Sequence, residues 1–186
     1  FRRSDQDRLW RVTFLGEGAL DHGGPYRESW ELIAKELLST HLSLLIRCPN
    51  AVNNVGQHRD CYLPNPSAVS NNELQCFKFL GRLLAACFHQ KTTIPLRMAP
   101  TFWRLLSGER LVPADLEAYD AMTAKFLTSM ECALPELTEQ AFVSAFPLVW
   151  TTSLSNGTVV ELIAGGRNLP VTLADASRYI LLSRQT

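Results

Sequence analysis

Apolar side chains recur at three- and four-residue steps along much of the chain, a spacing that predicts a mainly helical protein. From Pro25 to Thr40 the positions Trp30, Ile33, Leu37 and Leu38 share one face. Pro25 suits the first turn of that helix, where an N–H would have no partner. The segment Asn72 to Gln90 is the most apolar: Leu74, Phe77, Leu80, Leu84 and Phe88 form one stripe, and Phe79, Leu83 and Cys87 a second. Two stripes predict a central helix buried on two faces, capped by Ser70 or Asn71. Shorter helical patterns cover Thr101 to Leu106 behind Pro100, Ala114 to Tyr119, Ala121 to Cys132, and Thr138 to Phe146. Thr172 and Asp175 are spaced like a capping box for a last helix.

Strand patterns are fewer. Leu9 to Leu15 alternates large apolar and polar residues, Leu42 to Ile46 is a short apolar run, and Tyr62-Leu63 leads into the extended stretch Pro64-Asn65-Pro66. Leu148 to Thr152 and Thr158 to Leu162 flank Ser155-Asn156-Gly157, a hairpin signal because Asn-Gly accepts positive φ. Pro49-Asn50 and Asn53 to Gly56 carry turn chemistry. The sum is an α+β chain, mainly helical, with short strands and hairpins and no internal repeat.

Charge narrows the function classes. The 18 basic and 18 acidic residues cancel, so no electrostatic footprint points to nucleic acid or to a membrane surface. The longest apolar run, Leu80 to Phe88, is interrupted by Arg82 and is too short to span a bilayer, and the opening Phe1-Arg2-Arg3-Ser4-Asp5 lacks a signal-peptide core. Both ends are abrupt, as in a piece of a longer protein. The five cysteines, Cys48, Cys61, Cys76, Cys87 and Cys132, include no Cys-x-x-Cys pair. Reduced, structural thiols are expected, and with them a cytosolic or nuclear compartment.

Candidate chemistry is sparse. Gly16 to Gly24 is glycine-rich and lies between a strand and a helix pattern, as a phosphate loop would. It has no Gly-Lys-Ser/Thr, its glycines are misspaced for a dinucleotide fingerprint, and Glu17 and Asp21 would repel phosphate. His22, His41, His58 and His89 are far apart, so neither a metal site nor any cofactor is expected. No nucleophile and base can be paired from spacing alone.

The blocks Trp10-Arg11-Val12-Thr13-Phe14-Leu15-Gly16-Glu17-Gly18 and Asp21-His22-Gly23-Gly24-Pro25-Tyr26-Arg27-Glu28 resemble the opening of HECT-type ubiquitin ligase domains. Four further blocks follow in that family's order: Pro64-Asn65-Pro66, Phe77 to Leu84, Phe102 to Leu106 with Asp115-Leu116, and Gly165 to Thr172. The stretch from Pro49 to Gly81 looks most like the large HERC-type ligases. Residues such as Gly23, Gly24 and Gly81 read as scaffold, with the two former turning the chain sharply into the helix and Gly81 permitting close packing. On that reading Gly24→Val would lower the folding yield.

The resemblance implies the first lobe of a HECT domain, with a large subdomain over 1–120 and a smaller partner-binding subdomain over 121–186. It implies docking of a ubiquitin-conjugating enzyme, whose ubiquitin passes to a cysteine of a second lobe, expected past Thr186, and then to substrate lysines. Substrates would be held by regions outside this chain. Matching motif to motif places Leu127 and Met130 on the helix of a groove for an aromatic side chain. Phe146 and Leu148 would enter from the hairpin side, and Tyr179 and Ser183 from the last helix. Each of these is also an ordinary core candidate. As a groove residue, Leu127 should tolerate truncation to alanine better than Leu80. Thr123 and Ser183 depart from the family's larger apolar residues. The alternative is a non-catalytic helical interaction module on the same scaffold; a nucleotide-binding enzyme would require phosphate contacts at Gly16 to Gly24.

The family's acceptor cysteine usually sits in a Thr-Cys-Phe setting, and no cysteine here follows a threonine. The isolated chain should therefore form no reducible thioester with ubiquitin. A thioester band abolished by replacing one of the five cysteines would overturn this assignment.

Overall fold

A computed structural model describes residues 8–13 and 24–186. The helices are α1 (Gly24–Leu37), α2 (Pro49–Asn53), α3 (Asn71–Gln90), α4 (Pro100–Leu106), α5 (Ala121–Ala133), α6 (Glu139–Ala145) and α7 (Ala176–Gln185). Short strands β1 (Leu45–Arg47), β2 (Tyr62–Pro64), β3 (Thr151–Ser153) and β4 (Val159–Glu161) interrupt them. The chain divides into two compact units, Phe1–Ile46 with Ser67–Arg97, and Arg47–Pro66 with Met98–Thr186. The expected break between 120 and 121 thus falls inside the second unit. The turn before α5 carries hydrogen bonds from the 47–66 segment, which keeps that stretch in one body.

In the first unit, α1 buries Tyr26, Trp30, Ala34 and Leu37, a three-to-four spacing that places all four on one face. Trp10 covers this face, its ring centroid 4.7 Å from Trp30 and 5.4 Å from Tyr26, and its indole N–H donates to Ser29 Oγ at 3.0 Å. The Tyr26 hydroxyl donates to Gln90 Oε1 at the end of α3. Residues 9–13 are not a strand; the rest of the expected strand and the Gly16 to Gly23 loop lie outside the described residues. Gly24 opens α1 without a left-handed φ, and among the described residues nothing lies within 4 Å of a Cβ built there. Among the described residues, neither φ nor a close neighbour gives a reason for harm from Gly24→Val; the turn at Asp21 to Gly23 lies outside them.

Helix α3 begins as the sequence predicts. Ser70 Oγ accepts from the Glu73 N–H and Glu73 Oε2 accepts from the Ser70 N–H, a complete capping box. Those hydrogen bonds to Ser70 hold the Glu73 carboxyl below its ordinary pKa. The helix is not buried on two faces. Leu80, Leu83 and Cys87 form its one buried stripe, whereas Phe79 is 55% and Phe88 84% exposed. The apolar count overstated burial because several of those residues lie on the solvent side. Among the described residues Gly81 likewise has no neighbour within 4 Å of a would-be Cβ, so they show no close packing there.

In the second unit, segment 47–66 is clipped to the start of α5 by one side chain. Asn50 is fully buried. Its Oδ1 accepts from the Ala121 N–H at 2.7 Å, and its Nδ2 donates to the carbonyls of Gln57 at 3.0 Å and Glu117 at 3.1 Å. Its backbone N–H donates to Tyr119 O at 2.9 Å. Asp120 caps the same helix by accepting from the Thr123 N–H. Gly56, at φ +66°, lies so close that a Cβ there would stand 2.8 Å from Ala121 Cβ and 2.9 Å from Asn50 Nδ2.

Ahead of this clip, the expected helix at Ala114 to Tyr119 is only a single 3-10 turn, Pro113–Leu116. Asp115 is committed to holding that turn: its carboxylate accepts from the Val112 N–H at 2.7 Å and pairs with Arg104. Beyond α6, β3 and β4 pair antiparallel with Thr152 opposite Val160, and Gly157 takes φ +81° at the turn. Thr172 and Asp175 do bond, Oγ1 to Oδ2 at 2.8 Å, but α7 starts only after Asp175.

Asn50→Ala would leave the Ala121 N–H without its partner in a buried setting, and the partly buried Gln57 and Glu117 carbonyls without theirs. At about 1–3 kcal/mol for each buried group left unsatisfied, chemical denaturation should register a loss of at least about 2 kcal/mol. Asn50→Asp should also destabilise, because it would aim a carboxylate oxygen at two carbonyls. Near-parental stability for both variants would show that the clip contributes little.

Candidate partner-docking surface

Alternation of buried positions along α5 is set by its capped start. Leu127 and Met130, three residues apart, face inward together, at 1% and 0% exposure. They join Phe142 of α6, Trp150, Val171, and Ala176, Tyr179 and Ile180 of α7 in one apolar cluster. The last turn of α5 and α7 are also joined at the surface, where Arg184 Nη2 meets Glu131 Oε2 at 2.7 Å.

The six residues singled out from the sequence all come to this cluster or its edge, in two layers. Leu127, Met130 and Tyr179 are within the buried core, Ser183 is 7% exposed on the same helix as Tyr179, and Phe146 and Leu148 pack against the core while remaining half-buried. Leu127 is as enclosed as Leu80 at 3%, so the expected difference in tolerance to truncation has no basis in burial. Tyr179 is anchored twice: its hydroxyl donates to Thr151 O at 3.0 Å, and its ring meets Trp150 edge-on at 6.1 Å. Burial raises the phenol's pKa. The outer face of Trp150 carries the Arg178 guanidinium at 5.5 Å, a cation–π contact.

An aromatic series leads from the core outward. Phe142 is fully buried, Phe146 lies 5.6 Å from it, and Phe126 meets Phe146 edge-on at 6.1 Å. Phe126 is 40% exposed, and Met122, one turn earlier on α5, is 56% exposed. Phe126 was not picked out from the sequence. It lies between Lys125 and Leu127, and the family resemblance pointed to Leu127 and Met130, on the buried face, instead. The opposite flank of α5 is polar: Glu117, Ala124, Lys125, Thr128 and Ser129 line an open depression of about 280 Å³.

The hairpin strand is fixed just behind this edge. The Trp150 N–H donates to the carbonyls of Gly166 and Leu169, and the Val171 N–H to Leu148 O at 2.9 Å. A side chain on Gly166 would run into the Trp150 carbonyl, so a glycine is required there for the close approach. Catalytic candidates are few. Cys48, Cys61 and Cys87 are buried, Cys76 is half-buried and Cys132 is exposed; burial pushes the Cys87 thiol's pKa up. Among the described residues no group of three or more His, Cys, Asp or Glu could hold a metal ion, and no helix is long and apolar enough to cross a membrane.

A family model described as a HECT-domain (ubiquitin-transferase) matches residues 31–186. The chain belongs to the HECT domain family. Its relatives include E3 ubiquitin-protein ligase HERC2 of Mus musculus, 33% identical over 176 residues that cover 95% of this chain and 4% of that protein. Probable E3 ubiquitin-protein ligase HECTD4 of Homo sapiens is 29% identical over 192 residues, covering 94% of this chain and 5% of that protein. Apoptosis-resistant E3 ubiquitin protein ligase 1 of Mus musculus is 30% identical over 194 residues, covering 100% and 22% respectively. The chain thus spans only 4% to 22% of the length of these ligases. Its mainly helical α+β architecture is that of a HECT N-lobe.

The two layers should separate in stability measurements on this HECT domain. Leu127→Ala should cost about 2–5 kcal/mol, as truncation of an enclosed leucine does, and should match Leu80→Ala. Phe126→Ala, removing a partly exposed ring, should cost under half as much. Equal losses at Leu127 and Phe126 in urea titrations would contradict this layering.

Proposed function

We propose that this part of the HECT domain docks a ubiquitin-conjugating enzyme on the aromatic edge formed by Phe126 and Phe146, with Leu148 beside it. In this reading the buried Leu127, Met130 and Tyr179, with Ser183, form the floor that holds the edge in place and do not themselves meet the partner. The supporting observation is the outward aromatic series in a chain of this family: rigidly backed, half-buried rings can receive an aromatic side chain with little loss of conformational entropy.

Docking would bring the conjugating enzyme's thioester close to an acceptor cysteine elsewhere in the longer polypeptide. The acceptor thiolate would attack the thioester carbonyl, the conjugating enzyme's thiolate would leave, and ubiquitin would then pass to a substrate lysine. The contribution of this stretch is positional, raising the effective concentration of one thioester at one thiol. Substrate selection would fall to other regions of the ligase.

Anchor residues in such interfaces contribute about 2 kcal/mol or more each, which corresponds to roughly thirtyfold in affinity. Phe126→Ala and Phe146→Ala should each weaken binding of a labelled conjugating enzyme by that order, with retained cooperative unfolding. Leu105→Ala, on the exposed side of α4, should bind as the parent does. Parental affinity in both folded phenylalanine variants would place the docking face elsewhere and refute the reading.

A further inference from the structure

Two cysteines of the second unit are joined through their backbones. Cys48 is fully buried and Cys61 is 8% exposed, and neither is in a disulfide. The Cys48 N–H donates to the Cys61 carbonyl at 3.0 Å. That single bond makes the two residues backbone neighbours, although the Cys61 N–H turns to the His58 carbonyl instead of returning to Cys48; a disulfide requires Cα atoms roughly 4.4–6.8 Å apart. The side chain adds a second indication. The His58 carbonyl accepts both from the Cys48 thiol, at 3.4 Å, and from the Cys61 N–H, at 3.1 Å. Cys48 Sγ and the Cys61 N–H thus share one acceptor, while the Cys61 thiol donates to Asp60 Oδ1 at 3.9 Å.

The outer part of the segment between them faces solvent, while Asn50 and Ala51 within it are buried. Residues 52–54 and 56–60 are exposed, so lifting them uncovers little apolar surface. Asn54 and His58 hold left-handed backbone angles, φ 54° and 52°, which these two residue types adopt more readily than other non-glycine residues. Arg59 ties the segment down by donating to Gly56 O and Asn54 Oδ1. The same segment carries Asn50, which holds the first N–H of α5.

We propose that Cys48 and Cys61 form a reversible disulfide that fastens this segment and, through Asn50, the start of α5. The oxidant is a small-molecule disulfide of the glutathione type. The more accessible Cys61, as thiolate, attacks it; the S–S bond breaks, one glutathione thiolate leaves and a mixed disulfide forms. The Cys48 thiolate then displaces the second glutathione. The protein loses two protons and two electrons, and the glutathione disulfide is reduced to two thiols. The cross-link removes open states of the segment that the reduced chain can visit.

The test uses the whole 186-residue chain, equilibrated over a series of oxidised-to-reduced glutathione ratios, alkylated and mapped by peptide mass spectrometry. The expected product is one intramolecular Cys48–Cys61 link, with Cys76, Cys87 and Cys132 alkylated and full reversal by dithiothreitol. Hydrogen exchange at the Ala121 amide should slow by about tenfold or more in the oxidised form, a modest share of what closing a loop of this size can yield. Cys48→Ser should stop at a glutathione adduct on Cys61. Persistence of that adduct in the parent without closure, a link through another cysteine, or full alkylation of both thiols at the most oxidising ratio would each overturn the proposal. Should the Cys48→Ser variant fail to fold, the parent's peptide map and amide exchange decide between these outcomes.

Discussion

The hydrogen-bonding of Asn50 is the constraint on which the second unit depends. A helix start leaves its first N–H groups without intrahelical partners, and α5 begins at a buried alanine, where water cannot supply them. Asn50 satisfies the Ala121 N–H, Asp120 satisfies the Thr123 N–H, and the Asn50 amide is itself used up by two carbonyls. With the start of the helix fixed, its rotation about its own axis is fixed too. That rotation decides that Leu127 and Met130 point inward and that Phe126 stands at the edge. The position of the outermost ring thus traces back to an amide more than seventy residues earlier in the chain.

Much of this fold was legible in the sequence because local rules fixed it. The capping box at Ser70 and Glu73, the proline at the start of α4, the Asn-Gly hairpin turn and the spacing of apolar residues in α5 and α6 all lead to elements close to those observed. The failures share one cause. Apolar content says that a helix is able to bury a face, but partners in space decide how many faces it buries. Phe79 and Phe88 of α3 therefore counted toward a central helix that the structure does not contain. Pro49-Asn50, read as turn chemistry, instead begins α2, since Asn50 has distant partners that no local pattern announces.

The candidate surface divides in the same way. The residues chosen by resemblance gather around one cluster. The resemblance could not assign depth within that neighbourhood. Leu127 and Phe126 are adjacent, and nothing in their side-chain chemistry tells which faces the core. The answer lies in the phase of α5, which is set by Asn50 and Asp120. Phe146 gains its position from Phe142 one turn earlier, an aromatic pair whose inner member is fully enclosed.

The close approach of Gly56 to Ala121 has an evolutionary consequence. A methyl group added at position 56 would overlap the methyl at 121, and the glycine's φ of +66° already disfavours any side chain there. Enlarging residue 121 meets the same wall from the other side. The two positions form a single epistatic locus, in which a change tolerated at one depends on the state of the other. Drift among related domains would then pass through this contact only by paired replacements or by lengthening the segment that carries Gly56, so the α5 start should stay put while the surface around it diversifies.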